Sequence, residues 1–300
     1  MTEARSAARM APPVQVRGAV LSTRRVGAYH HMSLVAPGIA EHTRPGQFVA
    51  LSVGGPDTGL VLRRAFSIYR VSTRGVYGGT VEIVFAARGP GTAWLAAQPQ
   101  HTAVDVVGPL GRPFALPRAD GGAPSATLVG GGYGSAPLFA LAEQLLTRGA
   151  RVDFVLGAAT ADRLFGALDA KRMASSVAIT TDDGSAGTRG WVTDALPAVL
   201  NRGQADVVYA CGPMAMLAAV SAVAAQHGVP AQCAVEESMA CGIGVCMTCV
   251  LPVEGDDGVT RMVRSCVEGP VFLGDRVRWD AVGTVPVDAY GAPVENAAAR

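Results

Sequence analysis

Short apolar runs punctuated by Gly and Pro fill the first third of the chain. VQVRGAVLS, YHHMSLVAP, PGQFVALSV, RAFSIYRV, TVEIVFAAR and AVDVVGPLG all fall between Val14 and about Leu116. Their spacing predicts a small antiparallel barrel or sandwich. After the polar, turn-rich RADGGAPS at 118–125 the rhythm changes. ATLVGGGYGSAPLFALAEQLLTRG reads as a strand, a glycine loop and a helix with Pro137 near its first turn. Further strands are expected at RVDFVLGA, SVAITTDDG and DVVYACG. Strands separated by helical stretches imply parallel pairing and an α/β layer structure. From Gln232 to about Trp279 come four cysteines in a Gly-rich stretch, then an expected hairpin. The pattern therefore predicts a multi-domain β plus α/β fold. Its parts are a tail over 1–13, a β-barrel over 14–118, a parallel-sheet domain over 126–230, a cysteine domain over 231–280 and a polar tail over 281–300.

Composition narrows the class. With 300 residues, 49% of them hydrophobic, the chain has enough apolar material for about two cores. Its 25 basic and 24 acidic residues leave a net charge of +1, so no broad field exists to hold nucleic acid or an anionic membrane. Val207 to Val235 lacks Asp, Glu, Lys and Arg and is long enough to suggest a membrane span. Gly212-Pro213 interrupts it, leaving a buried strand, DVVYACGP, and a helix, MAMLAAVSAVAAQHG. The N-terminal MTEARSAARMAPP has no apolar core of signal-peptide length, and a cytoplasmic protein is expected.

The strongest chemical signal is Cys241, Cys246, Cys249 and Cys266, a C-x4-C-x2-C-x16-C series set in MACGIGVCMTCV. The opening is the plant-type 2Fe-2S spacing, and the glycines let the loop curl so that thiolates and amides face one cluster. A structural zinc site and a Cys246/Cys249 redox dithiol are the alternatives. About fifty residues are available, fewer than a whole plant-type ferredoxin uses, so a compact appended module fits. Cys233 is expected as a buried core thiol. Ile243, Val245 and Met247 beside the ligands form either a docking surface or core.

Two further constellations suit cofactors. In RRAFSIYR, alternation sends Phe66 and Ile68 to one face and Ser67 to the other. Arg64 suits a pyrophosphate, Phe66 a flavin ring and Ser67 a polar ring edge. RGPGTAWLA offers Gly89, Gly91 and Thr92 just before a helical start expected at Ala93 to Ala97, where backbone amides suit a phosphate. GGGYGSAPL, with Gly130, Gly132 and Gly134, resembles a dinucleotide loop with Pro137 where the last glycine would stand. It reads as a variant nicotinamide site, with a plain strand-to-helix turn as the alternative. TTDDGSAG and YACGPM end later strands; Asp182 or Asp183 is a candidate for ribose, and Cys211 and Gly212 for the nicotinamide ring.

RRAFS, GPGT, GGGYGSAPL, CGPM and EESMACGIGVCMTC occur in one order, and the chain resembles the ferredoxin-NADP reductase superfamily over roughly Val14 to Trp279. More narrowly it resembles the electron-transfer subunits of class 1B dihydroorotate dehydrogenase. The resemblance implies an FAD-binding barrel, a nicotinamide domain and a small 2Fe-2S domain. It implies that Arg64, Ala65, Phe66 and Ser67 contact FAD, that Val84, Phe85 and Ala86 do so at a second position, and that Gly91 and Thr92 hold its phosphate. The four cysteines would ligate the cluster. Family members usually carry proline where Ala65 stands.

The resemblance also implies a partner, a separate FMN-containing catalytic subunit that oxidises dihydroorotate in pyrimidine biosynthesis, in a heterotetramer with two copies of each chain. Electrons would pass from FMN through 2Fe-2S and FAD to NAD. No catalytic residue for dihydroorotate is evident here, and an NAD-linked, diaphorase-type oxidoreductase subunit is expected. Alternatives are an NAD(P)H-oxidising reductase serving a different redox partner, or a zinc-stabilised binding protein without redox turnover.

Overall fold

The computed structural model describes residues 11–55, 58–117 and 123–293. The expected tails lie partly outside the described residues, as does most of the expected boundary at 118–125. Six strands, β1 (Val14–Val26), β2 (Tyr29–Val35), β3 (Phe48–Leu51), β4 (Arg64–Ser72), β5 (Thr80–Phe85) and β6 (Ala103–Leu110), close a barrel in the order β1-β2-β5-β4-β3-β6. Every neighbouring pair is antiparallel. Closure leaves no open edge, and the inward residues Met32, Leu34, Val49, Leu51, Ile83 and Val106 are completely buried. The helix α1 (Pro90–Ala96) joins β5 to β6. It begins at Pro90, three residues before the expected start, because proline's fixed φ suits the first turn. Gly91 and Thr92 therefore lie inside the helix.

A second layer alternates strands with helices: β7 (Ser125–Gly131), α2 (Ala136–Thr147), β8 (Arg151–Ala158), α3 (Ala167–Met173), β9 (Ser176–Thr181), β10 (Thr188–Arg189), α4 (Val192–Gly203), β11 (Val207–Cys211) and α5 (Met214–Gln226). The sheet continues with β12 (Ala231–Ala234). A hairpin of β13 (Val250–Glu254) and β14 (Thr260–Arg264) follows, then β15 (Val271–Leu273). The sheet order is β10-β9-β8-β7-β11-β12-β15, parallel except for the β12–β15 pair. From β7 the chain steps outward to β8 and β9 and then returns to place β11 on β7's other side. The C-terminal ends of β7 and β11 thus form a topological switch point, where open α/β sheets bind ligands.

Two expectations about the last third are corrected. The hairpin lies between Cys249 and Cys266, not after the four cysteines. The stretch from residue 281 is not wholly a free tail: Ala289 is buried, Tyr290 N–H donates to Thr260 O at 2.8 Å, and Arg278 pairs with Asp288 at 3.0 Å. The cysteine segment also lends β12 and β15 to the larger sheet, because backbone donors at that sheet's edge are satisfied by the nearest extended chain.

Barrel and sheet share a continuous core. Tyr29, Tyr69 and Val84 from the barrel pack with Phe139, Phe154 and Phe165. Tyr69 meets Phe165 edge-on at 5.4 Å and Phe139 at 5.9 Å. Burial pushes the Tyr69 hydroxyl up to about 12, and it accepts from Arg70 at 2.8 Å and donates to Asp169 at 3.4 Å. Replacing Phe139 by alanine is expected to cost about 3–5 kcal/mol. Urea unfolding followed by two probes should show that loss in one cooperative transition. Separate transitions for barrel and sheet would contradict a shared core.

Candidate functional site

Two neighbouring cavities open between barrel and sheet. The smaller, about 310 Å³, is lined by Arg64, Ala65, Phe66, Ser67, Val84, Phe85, Ala86 and Thr92 from the barrel side, and by Tyr133, Gly134 and the 235–239 segment opposite. Of the residues singled out for FAD, only Gly91 does not line it. Gly91 is instead the point of closest approach, since a Cβ there would lie 3.1 Å from Arg64 Nε. Arg64 Nη1 donates to Leu62 O at 2.7 Å, which anchors the guanidinium at the cavity wall. Phe66 and Phe85 are core residues packed at 5.3 Å, while Ser67 on the opposite strand face is exposed to the cavity. The Thr92 hydroxyl accepts from the Arg88 and Gly89 amides at 3.0 and 3.1 Å, closing the turn ahead of α1. A cation, an aromatic wall and a hydroxyl without a hydrogen-bond partner among the described residues line one cavity, a set that fits a flavin.

The larger cavity, about 590 Å³, follows the C-terminal ends of β7, β8, β9 and β11. Gly132 and Gly134 line it, as does Asp182. Gly130, Cys211 and Gly212 do not. Gly130 packs under Ser135, where any Cβ would collide. Gly212 lies against Gly131, whose Cα would be 3.1 Å from an added Cβ. Cys211 is 1% exposed, and burial pushes its thiol well up; it is a packing residue behind the cavity. Cys233 is likewise buried, its thiol pushed up to about 12.

Four residues, Arg88, Tyr133, Gly134 and Glu236, line both cavities. The Arg88 guanidinium sits 5.5 Å from the Tyr133 ring centroid, and Tyr29 meets that ring edge-on at 5.2 Å. Sequence reasoning passed over Arg88, Tyr133 and Glu236. Glu236 opens into both recesses, yet protein surrounds it closely enough that loss of hydration raises its carboxyl above 4.5, with Arg88 opposing. Burial likewise raises the Tyr133 hydroxyl, and the Glu236 charge adds to the shift.

The cysteines meet two by two. Cys246 Sγ is 3.3 Å from Cys241 Sγ, and the Cys246 amide donates to that sulfur at 3.4 Å. Cys249 and Cys266 pair inside the fold, 1% and 2% exposed. Among the described residues no group of three or more Cys, His, Asp or Glu side chains gathers as a single-ion site. Two thiol pairs instead match the four thiolates of a two-iron cluster. Hydrogen bonds from Thr248, then from Cys241, bring the Cys246 thiol down to about 6, whereas burial holds Cys266 up to about 12. Arg264 places a cation near both inner thiols and donates to Gly244 O at 2.8 Å. Gly244 has φ +82 and a Cβ there would strike Val267, so the turn needs glycine. Phe48, Ala50 and Leu110 of the barrel form one apolar cluster with Cys249 and Cys266, and Ala65 and Met239 pack against it. Phe48, Ala65 and Met239 also line the smaller cavity. Ile243, Val245 and Met247 face solvent, Val245 at 78% exposure.

Residues 236–278 match the family described as the iron-sulfur cluster binding domain of dihydroorotate dehydrogenase B, and residues 128–222 match the oxidoreductase NAD-binding domain. A Bacillus caldolyticus protein named dihydroorotate dehydrogenase B (NAD(+)), electron transfer subunit, is 39% identical over 239 residues, 80% of this chain and 88% of its own. Its namesake in Geobacillus thermodenitrificans is 38% identical over 263 residues, 87% and 97% of the two chains. Among solved structures, a chain of an NADH-dependent reduced ferredoxin-NADP oxidoreductase is similar with TM-score 0.76 and 28% identity, covering 88% of this chain and 91% of its own. A ferredoxin NADP+ reductase from Neisseria gonorrhoeae shares the fold at TM-score 0.56 and 16% identity, covering 71% and 92%.

The raised Glu236 carboxyl has a testable sign. A carboxyl whose folded value lies above its unfolded value binds more protons folded, so stability falls as pH rises through that interval. The penalty is absent below about 4.5, the ordinary value, and complete above the raised one. Glu236→Gln should therefore be more stable than the parent at neutral pH, and the gap should close on acidification. Denaturation midpoints measured across that range check this; a gap that widens in acid would contradict it.

Proposed function

This chain belongs to the family of dihydroorotate dehydrogenase B electron transfer subunits, and on that premise we propose that it carries electrons from a separate dihydroorotate-oxidising subunit to NAD. It is an NAD-linked oxidoreductase subunit that uses FAD, a 2Fe-2S cluster and NAD. In the overall reaction dihydroorotate loses two electrons and two protons to become orotate. NAD takes both electrons and one proton as hydride, and the second proton goes to solvent. The observation that carries the reading is shared walls: Arg88, Tyr133, Gly134 and Glu236 join the two cavities, and Phe48, Ala65 and Met239 join the smaller cavity to the thiol pairs.

The residues divide the work. Arg64 and the turn closed by Thr92 hold the flavin's phosphates, with Gly91 letting the guanidinium approach the backbone. Phe66, Val84, Phe85 and Ala86 wall its ring, and Ser67 offers a hydroxyl to the ring edge. When bound, FAD supplies exchange between two-electron hydride chemistry and single electrons. Gly132 and Gly134 bring the nicotinamide dinucleotide close to the backbone, while Gly130 and Gly212 pack the loops that position it and Cys211 backs them. Cys241 with Cys246 and Cys249 with Cys266 hold the cluster, and the barrel cluster of Phe48, Ala50 and Leu110 keeps the inner pair dry.

The functional division runs as barrel 14–118 for FAD, 126–230 for the dinucleotide and 231–280 for the cluster. Exposed Ile243, Val245 and Met247 form an apolar face beside the cluster loop for the FMN-containing partner, in a cytoplasmic heterotetramer of two copies of each chain. No helix among the described residues is long and apolar enough to cross a membrane. The likeness to the NADH-dependent ferredoxin-NADP oxidoreductase favours a second reading, a reductase serving another redox partner.

Anaerobic purification should yield FAD together with two irons and two acid-labile sulfides, whereas zinc without flavin absorption would reject the assignment. Cys249→Ser should abolish the cluster's absorption and leave FAD bound, with NADH oxidation by an artificial acceptor surviving. Loss of FAD from a folded variant would show that the two sites are not separate. Alone, the loaded chain should show diaphorase activity and no dihydroorotate oxidation; adding the FMN subunit should create NAD-linked turnover. Failure of the two loaded subunits to associate would favour the second reading.

A further inference from the structure

Four buried hydroxyls have no hydrogen-bond partner among the described residues, those of Thr23, Thr127, Thr180 and Ser265. One of them stands among the cluster ligands. Ser265 is 0% exposed and directly precedes Cys266, yet it lines neither cavity, so a flavin or dinucleotide held there leaves it untouched. A hydroxyl that gives up water on folding and gains no partner is costly, and such a group calls for an acceptor.

The hairpin fixes where Ser265 stands. β13 and β14 pair Val250 with Arg264 and Leu251 with Val263, and the ladder runs one step past the strands, where the Ser265 amide donates to Cys249 O at 2.9 Å. At the other end the Gly255 amide donates to Val259 O at 3.0 Å. Hydrogen-bonded pairs alternate along an antiparallel ladder, and both bonds fall in the same alternation, so Cys249 and Ser265 are one such pair. Residues directly opposite each other project to the same face, with Cβ atoms about 4.5–5.5 Å apart. A serine hydroxyl turning about its single side-chain torsion reaches sulfur held on that face.

Other donors around the ligands are already committed. The Cys246 amide donates to Cys241 Sγ at 3.4 Å, and Thr248 bonds to Cys246. Arg264 donates to Gly244 O at 2.8 Å and to Glu268 Oε1 at 3.0 Å. Thr260, the other buried hydroxyl of the hairpin, accepts from Arg278 at 3.2 Å. Among the described residues Ser265 keeps an uncommitted proton beside the inner thiols, which burial holds away from water. We propose that the Ser265 hydroxyl donates a hydrogen bond to sulfur on the Cys249 side of the cluster and so raises the potential at which the cluster accepts an electron. Reduction adds one electron and one negative charge, breaks no bond and moves no proton. A donor aimed at sulfur stabilises the more negative state more, and most strongly where no water screens it. Ser265 is thus a positioning residue, acting through the ligands.

The inference rests on the four cysteines holding a two-iron cluster, and the test keeps the two apart. The full chain loaded with FAD and cluster is titrated with dithionite in the presence of redox mediators while electron paramagnetic resonance reads the reduced cluster. Electron-nuclear double resonance in light and heavy water reads the exchangeable protons near it. Ser265→Ala, at the parent's FAD content, should make reduction about tenfold less favourable, a fall of about 59 mV for a one-electron centre, and should remove one exchangeable-proton coupling. Ser265→Thr keeps the hydroxyl and should restore both. Loss of the cluster from Ser265→Ala with recovery in Ser265→Thr would also support the bond, whereas loss from both would show that the site needs serine's size and not its proton, overturning the proposal. If Ser265→Ala keeps its cluster with the parent's potential and couplings, the hydroxyl has no part in reduction and the cluster assignment stands. If the parent itself holds no iron, both fall.

Discussion

The segment just after the barrel, residues 111–116, is held by hydrogen bonds on two sides, and the relation of barrel, sheet and cysteine segment depends on it. Arg112 N–H donates to Gly269 O at 2.6 Å, tying the barrel exit to the C-terminal strand. Gln232 brackets Ala115, its Oε1 accepting from the Ala115 amide and its Nε2 donating to the carbonyl, both at 2.8 Å. Tyr209 donates to the same carbonyl at 2.8 Å while its ring meets Phe114 edge-on at 5.4 Å. The partners of this segment come from the sheet on one side and the cysteine segment on the other. These bonds hold barrel, sheet and cysteine segment at fixed separations.

From that clamp follows the arrangement of walls. The 235–239 segment leaves β12 across from β4 of the barrel and becomes one side of the smaller cavity before it enters the cysteine loop. The inner thiols then settle on the apolar patch of Phe48, Ala50 and Leu110. At the opposite side, the close packing of Gly134 against Gly212 draws the ends of β7 and β11 together under Tyr133. The Arg88 charge beside Glu236 offsets part of the cost of holding a carboxylate in a recess that a bound cofactor would dry further.

Much of this was legible along the chain. Cys241, Cys246, Cys249 and Cys266 are close in sequence, and the ligand spacing is itself a local geometric rule. The barrel strands were legible as short apolar runs punctuated by Gly and Pro, and Arg64, Phe66 and Ser67 shared a strand whose period of two put Phe66 and Ser67 on opposite faces. The glycine loop was visible because a strand-to-helix turn requires small residues in adjacent positions. Where the local rule was incomplete the expectation slipped: α1 starts at Pro90, and the hairpin interrupts the cysteine series because its turn lies between the ligands.

What the sequence by itself determined is the set of local devices: a run of short antiparallel strands, a glycine-rich strand-to-helix loop and a loop with closely spaced cysteines. Tertiary structure alone decided which isolated side chains line the two cavities. Arg88 follows a strand, Tyr133 stands in a glycine loop, Glu236 precedes the cysteines, and Thr180 and Trp191 flank a turn; no periodicity links them, and they meet only once the sheet and barrel are clamped. The same packing removed Cys211 from the cavity, because a residue at a strand's end reaches the ligand only if the neighbouring loop leaves room, and Gly131 and Gly212 close that room. Spacing along a chain encodes contacts within a turn or a strand, whereas contacts between segments depend on how buried surfaces are shared, which no single segment carries.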